Sequence, residues 1–383
     1  MKKIAFVTNS IYTFGGEQRV VSLIANELSK VCDVSIYTED DRDIKENPYN
    51  IPDKIHVYYN KTFKGNFIIK AFRVIFKIPF IKKLRCFEWT WKITHYNKYL
   101  AKRLKDTLND KYETVIGVSD RISILLGMTK QIGLKSKIIV WEHNSFECYF
   151  RTPYENLWKQ DTLFYNSVKN VDYCVVLNED YAEKYKKYLD LDCKVIYNPR
   201  SFISRKKSGL TEKTIITCCR LSIKTKGLDL LIKSFKIFTK KNPDWILKIA
   251  GNGPDEDAVI KLIKDNDLED KILLLGYRTD IKELLIDSSI FLLPSRWEGF
   301  PMSITEAFEC GLPVVAFDIP ATIPFEKTNA MLLAKSYDEF DFAEKISKLT
   351  NDYALRKKMS EEAIKFAESL SIENIIKKWI EII

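Results

Sequence analysis

Ile290-Phe291-Leu292-Leu293-Pro294-Ser295-Arg296-Trp297-Glu298-Gly299-Phe300-Pro301-Met302-Ser303-Ile304-Thr305-Glu306-Ala307-Phe308-Glu309-Cys310-Gly311-Leu312-Pro313-Val314-Val315-Ala316-Phe317 reads as strand, turn, helix and strand. Its two apolar runs, Ile290–Leu293 and Pro313–Phe317, have strand length. Between them Gly299 permits a tight turn, and Pro301, which has no amide hydrogen to lose, suits the first helical position. Strands joined through a helix pair in parallel, and apolar runs without alternation belong to sheets covered on both faces.

The same alternation extends in both directions. Further strands are expected at Lys3–Thr8, Asp33–Tyr37, Thr114–Val118, Lys137–Trp141 and Asp172–Leu177 in the first half. The second half adds Thr214–Cys219, Trp245–Ala250 and Lys271–Leu275. Amphipathic stretches separate them, such as Val20, Val21, Ile24 and Leu28 at helical spacing. Two sets of about five strands predict an α/β protein of two doubly wound domains. The seam falls near Asn198-Pro199-Arg200, giving residues 1–198, residues 199–370, and a closing amphipathic helix over 371–383. A chain of 383 residues suits that division, since single cores stop growing near about 250–300 residues.

Composition narrows the class. A hydrophobic fraction of 46% excludes wholesale disorder. No apolar run approaches the roughly 20 residues of a membrane span, and Met1–Ser10 reads as a strand rather than a signal sequence. The eight cysteines form no Cys-x-x-Cys pair, which predicts reduced thiols, and three histidines (His56, His95, His143) leave little for a metal centre. The triplets Asp190-Leu191-Asp192, Asp255-Glu256-Asp257 and Asp265-Asn266-Asp267 read as solvated turns.

Ligands of open α/β sheets bind outside the carboxyl ends of the strands, and four loops there carry suitable residues. After the first strand, Gly15-Gly16 precede a helix whose free amides suit an anion. A plain turn is an equal alternative, because Gln18 and Arg19 stand where a Gly-x-Gly-x-x-Gly fingerprint needs its third glycine. Arg220 and Lys226 follow a second-half strand and can converge on a diphosphate, Arg as a fork and Lys as a point charge. The amides around Pro301, those of Phe300, Met302 and Ser303, mark another helix start. Glu298 and Glu306 flank that start; a carboxylate repels a diphosphate, so hydroxyls of a sugar and a ribose are the better partners. The alternatives are a favourable helix-start charge for Glu298 and a solvated face for Glu306. His143, in Glu142-His143-Asn144, ends a first-half strand, where it serves either a ligand or the core.

In this order the loops resemble the retaining GT-B glycosyltransferases of family 4. The likeness rests on Gly15-Gly16, Glu142-His143-Asn144, Arg220 with Lys226-Gly227, Gly251-Asn252-Gly253-Pro254, Leu275-Gly276-Tyr277, Leu293-Pro294-Ser295 and the Glu-x7-Glu element from Glu298 to Glu306. It runs from residue 1 to about 320. The resemblance implies two Rossmann-like domains facing a cleft, a nucleotide-sugar donor (UDP the expected nucleotide) on the second domain and an acceptor on the first. It assigns Arg220 and Lys226 to the diphosphate, Glu306 to the ribose, and Glu298 and His143 to the transferred sugar. Gly15, Gly16, Tyr277, Phe300, Pro301 and Met302 line the donor. Neither metal nor cofactor is implied, and the closing helix returns to the first domain. The glycine-free run Ile319–Asn329, and Asn198-Pro199-Arg200 in place of Asn-Gly, depart from the pattern.

The charge of +9 is uneven. Between Lys61 and Lys105 thirteen Lys/Arg face one acid, Glu88, a net +12 that leaves about −3 elsewhere. Interleaved aromatics suit an anionic bilayer surface, with Lys77, Lys82, Lys83 and Arg85 as contacts and a lipid-linked or surface-polysaccharide acceptor at the inner membrane face. Single-stranded nucleic acid, or a solvated helix with its rings in the core, are the other readings of the segment. Nucleic acid leaves the Glu298–Glu306 element unexplained and is not the expected partner. A dinucleotide-dependent oxidoreductase would instead use Glu39 or Asp40 on a ribose.

Overall fold

The computed structural model describes residues 1–41, 47–59, 71–72, 74–76, 78, 81, 84, 87–153 and 157–383. The chain divides into two compact units, Met1–Pro199 with Ile372–Ile383, and Arg200–Ser371.

The first unit is built on seven parallel strands: β1 (Lys3–Thr8), β2 (Asp33–Thr38), β3 (His56–Tyr59), β4 (Thr114–Val118), β5 (Lys137–Trp141), β6 (Tyr173–Val176) and β7 (Cys193–Val195), in the order β3-β2-β1-β4-β5-β6-β7. The central β4 is buried along its whole length, which is why it reads as an unbroken apolar run. Helix Gly16–Leu28 lays Val20, Val21, Ile24, Ala25 and Leu28 on the sheet, one face at helical spacing. The last helix, Ile372–Ile380, closes back on this unit. Its Trp379 is fully buried with its ring 4.6 Å from that of Trp141, and Lys2 and Lys137 donate to the carbonyls of Ile383 and Ile382 at 3.1 and 3.2 Å.

The second unit holds six parallel strands: β8 (Thr214–Cys218), β9 (Ile246–Ala250), β10 (Ile272–Gly276), β11 (Ile290–Leu293), β12 (Val314–Phe317) and β13 (Met331–Ala334), in the order β10-β9-β8-β11-β12-β13. Its core joins Ile215, Leu247, Ile290, Leu292, Val315 and Phe317 of the sheet to Leu231, Phe235, Phe342 and Ile346 of flanking helices.

Three strands exceed the expected ten: β3, β7 and β13. Each lies at a sheet edge, where one side is unpaired and short, mixed sequences such as His56-Val57-Tyr58-Tyr59 suffice. Strand order reverses between β1 and β4 in one unit and between β8 and β11 in the other. In open α/β sheets such reversals are where ligands bind, at the strands' carboxyl ends.

Candidate functional site

In the second unit, the loop after β8 ends in the short helix Ile223–Lys226, and the loop after β11 leads to helix Met302–Glu309. The Lys226 ammonium meets the Glu298 carboxylate at 2.6 Å, and Ser295 Oγ donates to the same carboxylate oxygen at 2.6 Å. Burial alone would pull the Lys226 pKa down; the attraction of Glu298 reverses this and holds it above its usual value, while the Arg220 charge opposes it. Arg220 is exposed, and its guanidinium has no ion-pair partner among the described residues. The two cations therefore lie close together, one paired and one open. That pair is what the sequence reading separates: it sends Lys226 to a phosphate and Glu298 to a sugar, whereas here they satisfy each other.

The scaffold beneath is fixed by charge. Arg296 forks onto Asp229 at 2.8 and 2.7 Å and donates to the Ile223 carbonyl at 2.9 Å, tying the β11 loop to helix Leu228–Thr239. Asp255 accepts from the Ile223 amide at 2.8 Å. Arg296 and Asp229 carry no sequence signal, because charged pairs between separate loops leave no local pattern, and the triplet reading of Asp255 gives no hint of its hold on Ile223.

Glu306 is only 7% exposed, so the solvated-face alternative is wrong. Its charge joins burial in holding the Cys218 thiol well above the usual range, which places the carboxylate beside the end of β8. Glu298 stands before the helix as expected. Pro301 is a correction: it is extended at the N-cap, φ −71° and ψ 94°, and the helix begins at Met302. Phe300 and Met302 are buried, and Tyr277 is exposed just after β10. The Phe300 ring packs, tilted by 46°, at 5.1 Å from that of Phe325, which belongs to the glycine-free run. There Pro320–Thr322 and Ile323–Glu326 form two short helical turns, and the run thus supplies an apolar wedge beneath the Phe300 loop. The second acid of this helix, Glu309, is structural: it accepts from Arg200, Ser204 N and Lys207 at 2.6, 2.8 and 2.8 Å.

In the first unit the reversal point gathers three acids. Glu17 follows Gly16, Asp120 follows β4, and Glu142 follows β5. Burial pushes the Glu17 carboxyl up to about 7, with the Asp120 charge adding to it and a hydrogen bond from Ser119 opposing. Glu142 is wholly buried, and burial with the charges of Asp120 and Glu17 raises it to about 8. Ser119 itself sits at φ 69°, in the left-handed region costly for a side chain. His143 is 8% exposed, its ring 4.3 Å from that of Trp141, and Nε2 has no partner among the described residues. Burial lowers its pKa to about 3, so the imidazole is neutral at physiological pH. The sequence reading selects His143 but passes over Glu17, Ser119 and Asp120, although Ser119-Asp120 at the end of an apolar strand is a legible signal.

Gly15 and Gly16 are exposed at the start of helix Gly16–Leu28. The Gly15 amide donates to the Tyr49 hydroxyl at 2.8 Å, and that hydroxyl donates to the Thr13 carbonyl at 2.9 Å. Asp40 accepts from Ser10 Oγ, Ile11 N and Thr38 Oγ1 at 2.6, 2.7 and 2.8 Å, and Glu39 is forked by Arg121 at 3.0 and 2.6 Å. Both acids offered to a ribose by the oxidoreductase reading are thus consumed in shaping the β1 loop. Lys77, Lys82, Lys83 and Arg85 lie outside the described residues. The triplet acids Asp190 and Asp192 are exposed and face Lys186, as solvated turns should. Among the described residues no group of His, Cys, Asp and Glu is suited to a metal ion, and no helix is long and apolar enough to cross a membrane.

Residues 200–366 match the family described as glycosyl transferases group 1. The chain is 30% identical over 389 residues to an uncharacterized glycosyltransferase of Haemophilus influenzae, covering 99% of each. It is 29% identical to the poly(ribitol-phosphate) alpha-N-acetylglucosaminyltransferase of Staphylococcus aureus over 58% of this chain and 46% of that protein. In three dimensions it is similar to Anabaena HepE, solved in complex with UDP, with a TM-score of 0.76, 18% identity and coverage of 100% and 99%. That likeness gives the fold, GT-B.

Proposed function

The chain belongs to the glycosyl transferases group 1 family, and from that premise we propose that it moves a hexose or N-acetylhexosamine from a UDP-sugar to a glycan acceptor, with retention of configuration and without a metal ion. The observation that carries this reading is the second unit's reversal point, where Arg220, the Lys226–Glu298 pair and buried Glu306 surround the start of helix Met302–Glu309.

The donor's diphosphate brings negative charge to Arg220, the open cation. Lys226 then turns from Glu298 to phosphate, and the released Glu298 carboxylate accepts from hydroxyls of the transferred sugar. Glu306 accepts from the ribose, and the amides of Met302 and Ser303 at the helix start face the phosphates. The anomeric carbon–phosphate oxygen bond breaks, and the acceptor oxygen bonds to the same face. The acceptor's proton passes to the departing phosphate oxygen, so no protein nucleophile is needed. A neutral His143 hydrogen-bonds a sugar hydroxyl and carries no proton to the reaction. Relatives that act on ribitol- and glycerol-phosphate polymers support a surface-polysaccharide or lipid-linked acceptor, worked at the inner membrane face.

A metal-free thermal-shift panel of UDP, GDP, CMP, ADP and NAD tests the donor. Ligand at 100 times its Kd stabilises by about 2.7 kcal/mol, and a selective rise with UDP is expected. Glu306→Ala should remove that rise, while Glu298→Ala should keep it and slow sugar transfer. A response to NAD alone, or wild-type behaviour in both variants, would overturn the assignment.

A further inference from the structure

Two of the cysteines share a place that no sequence spacing announces. Cys174 lies in β6 and Cys193 in β7, and the two are register partners across the parallel pair. Directly paired residues of neighbouring strands point to the same face with Cα atoms about 4.8 Å apart. A disulfide needs roughly 4.4–6.8 Å, so the backbone already satisfies it. The side chains confirm the contact. The Cys174 thiol hydrogen-bonds to the Cys193 sulfur, and that bond together with burial holds it well above the usual thiol range. Tyr185, from helix Glu179–Leu189 packed on this edge, feels the charge of both sulfurs.

Exposure distinguishes the pair. Cys174 is 2% exposed, whereas Cys193 is half-buried on the sheet's edge strand. Cys32, Cys148 and Cys310 are buried without a thiol in register, and Cys218 and Cys219 are adjacent in sequence and alternate in direction along the chain. Nor do the two sulfurs read as half of a structural zinc site, since no further ligand groups with them among the described residues.

We infer that Cys174 and Cys193 form a reversible oxidation site, a dithiol that peroxide converts to an intrachain disulfide joining β6 to β7. Cys193, the less buried residue of the two, attacks hydrogen peroxide; the O–O bond breaks, water leaves, and a sulfenic acid remains. Cys174 sulfur then bonds to the Cys193 sulfur, and the departing hydroxide takes the Cys174 proton as a second water. Two thiols lose two electrons and two protons, and one peroxide becomes two waters. The bond pins a three-residue edge strand, the last before the chain leaves the first unit at Pro199.

The test is peptide mapping of the full chain after mild hydrogen peroxide, with remaining thiols alkylated under non-reducing conditions. The expected result is one linked peptide pair containing Cys174 and Cys193, lighter by two hydrogens and separated again by dithiothreitol. In Cys193→Ser the link should vanish and Cys174 should alkylate once the chain is unfolded. Cys193 found as sulfinic acid beside an alkylated Cys174, or Cys174 linked to any other cysteine, would overturn the site. The wild-type peptide decides even if the variant folds poorly.

Discussion

At the scale of single residues, Glu142 offers the sharpest test, since its side chain is fully buried and the hydrogen bonds from Ser123 and Tyr149 only partly offset that burial. Its pKa rises from 4.5 in the unfolded chain to about 8 in the folded one, so the folded protein binds the proton more tightly. The stability this contributes is complete below pH 4.5 and is lost as pH rises toward 8. Glu17, raised to about 7, acts with the same sign in the same window. His143 has the opposite sign: lowered from 6.5 to about 3, it costs stability only as pH falls through that range. Between pH 6.5 and 8 the carboxyls therefore act alone. Glu142→Gln should flatten the fall of the unfolding midpoint over that interval, by up to a few kcal/mol on the scale of roughly 1.4 kcal/mol per pKa unit. A midpoint-versus-pH series checks it, and parallel curves for variant and wild type would refute it. The acids' proximity was not legible beforehand, because Glu17, Asp120 and Glu142 come from three loops that only strand order brings together. His143 was legible for the opposite reason, being a lone histidine at the end of an apolar strand.

Elements extend the argument from charge to space. Gly227 joins helices Ile223–Lys226 and Leu228–Thr239 at φ +63°, and a Cβ there would lie 2.0 Å from the Pro294 carbonyl oxygen. Gly276, at the end of β10, has the same φ of +63° with nothing within 4 Å of its Cβ position. The two glycines separate backbone strain from close approach. Gly276→Ala should cost about 1 kcal/mol, the strain of a left-handed residue alone. Gly227→Ala carries the same strain and forces β11's end away from the helix, for a total of about 3 kcal/mol or more. Urea unfolding of both variants reads the difference; equal losses would mean the loop yields freely. Sequence revealed this glycine as part of a motif but not its reason, which is a carbonyl sixty-odd residues away in the chain. The strands divide in the same way. β1, β4, β5 and β11 were legible as apolar runs because both faces are covered; of the four edge strands only β10, whose Ile272–Leu275 is itself an apolar run, was legible, and β3, β7 and β13 were not, because an edge does not require such a run.

For the whole molecule the uneven charge is the feature that acts at a distance. The +12 between Lys61 and Lys105 outweighs the rest of the chain, and the described part of that segment has a divided surface. Trp91 and Tyr96 are buried at 5% and 2% exposure, while Trp89 is 53% and Val74 64% exposed, with Ile75, Ile78 and Phe87 also open. A solvated helix with its rings in the core explains the first pair and leaves the second group facing water. An anionic bilayer accommodates both the cations and the open apolar side chains, each basic residue near its surface contributing about 1 kcal/mol. Lys77, Lys82, Lys83 and Arg85 all fall in this segment. The full chain should therefore sediment with anionic phospholipid vesicles, less so with neutral ones, and progressively less as salt shortens the screening length. Reversing all four residues to Glu turns attraction into repulsion at those positions and should abolish sedimentation, while a UDP thermal shift carried by Arg220 and Glu306 should stay intact. If the reversed protein still sediments with its nucleotide response unchanged, these four charges do not hold the protein on the bilayer, and the segment's charge serves another purpose.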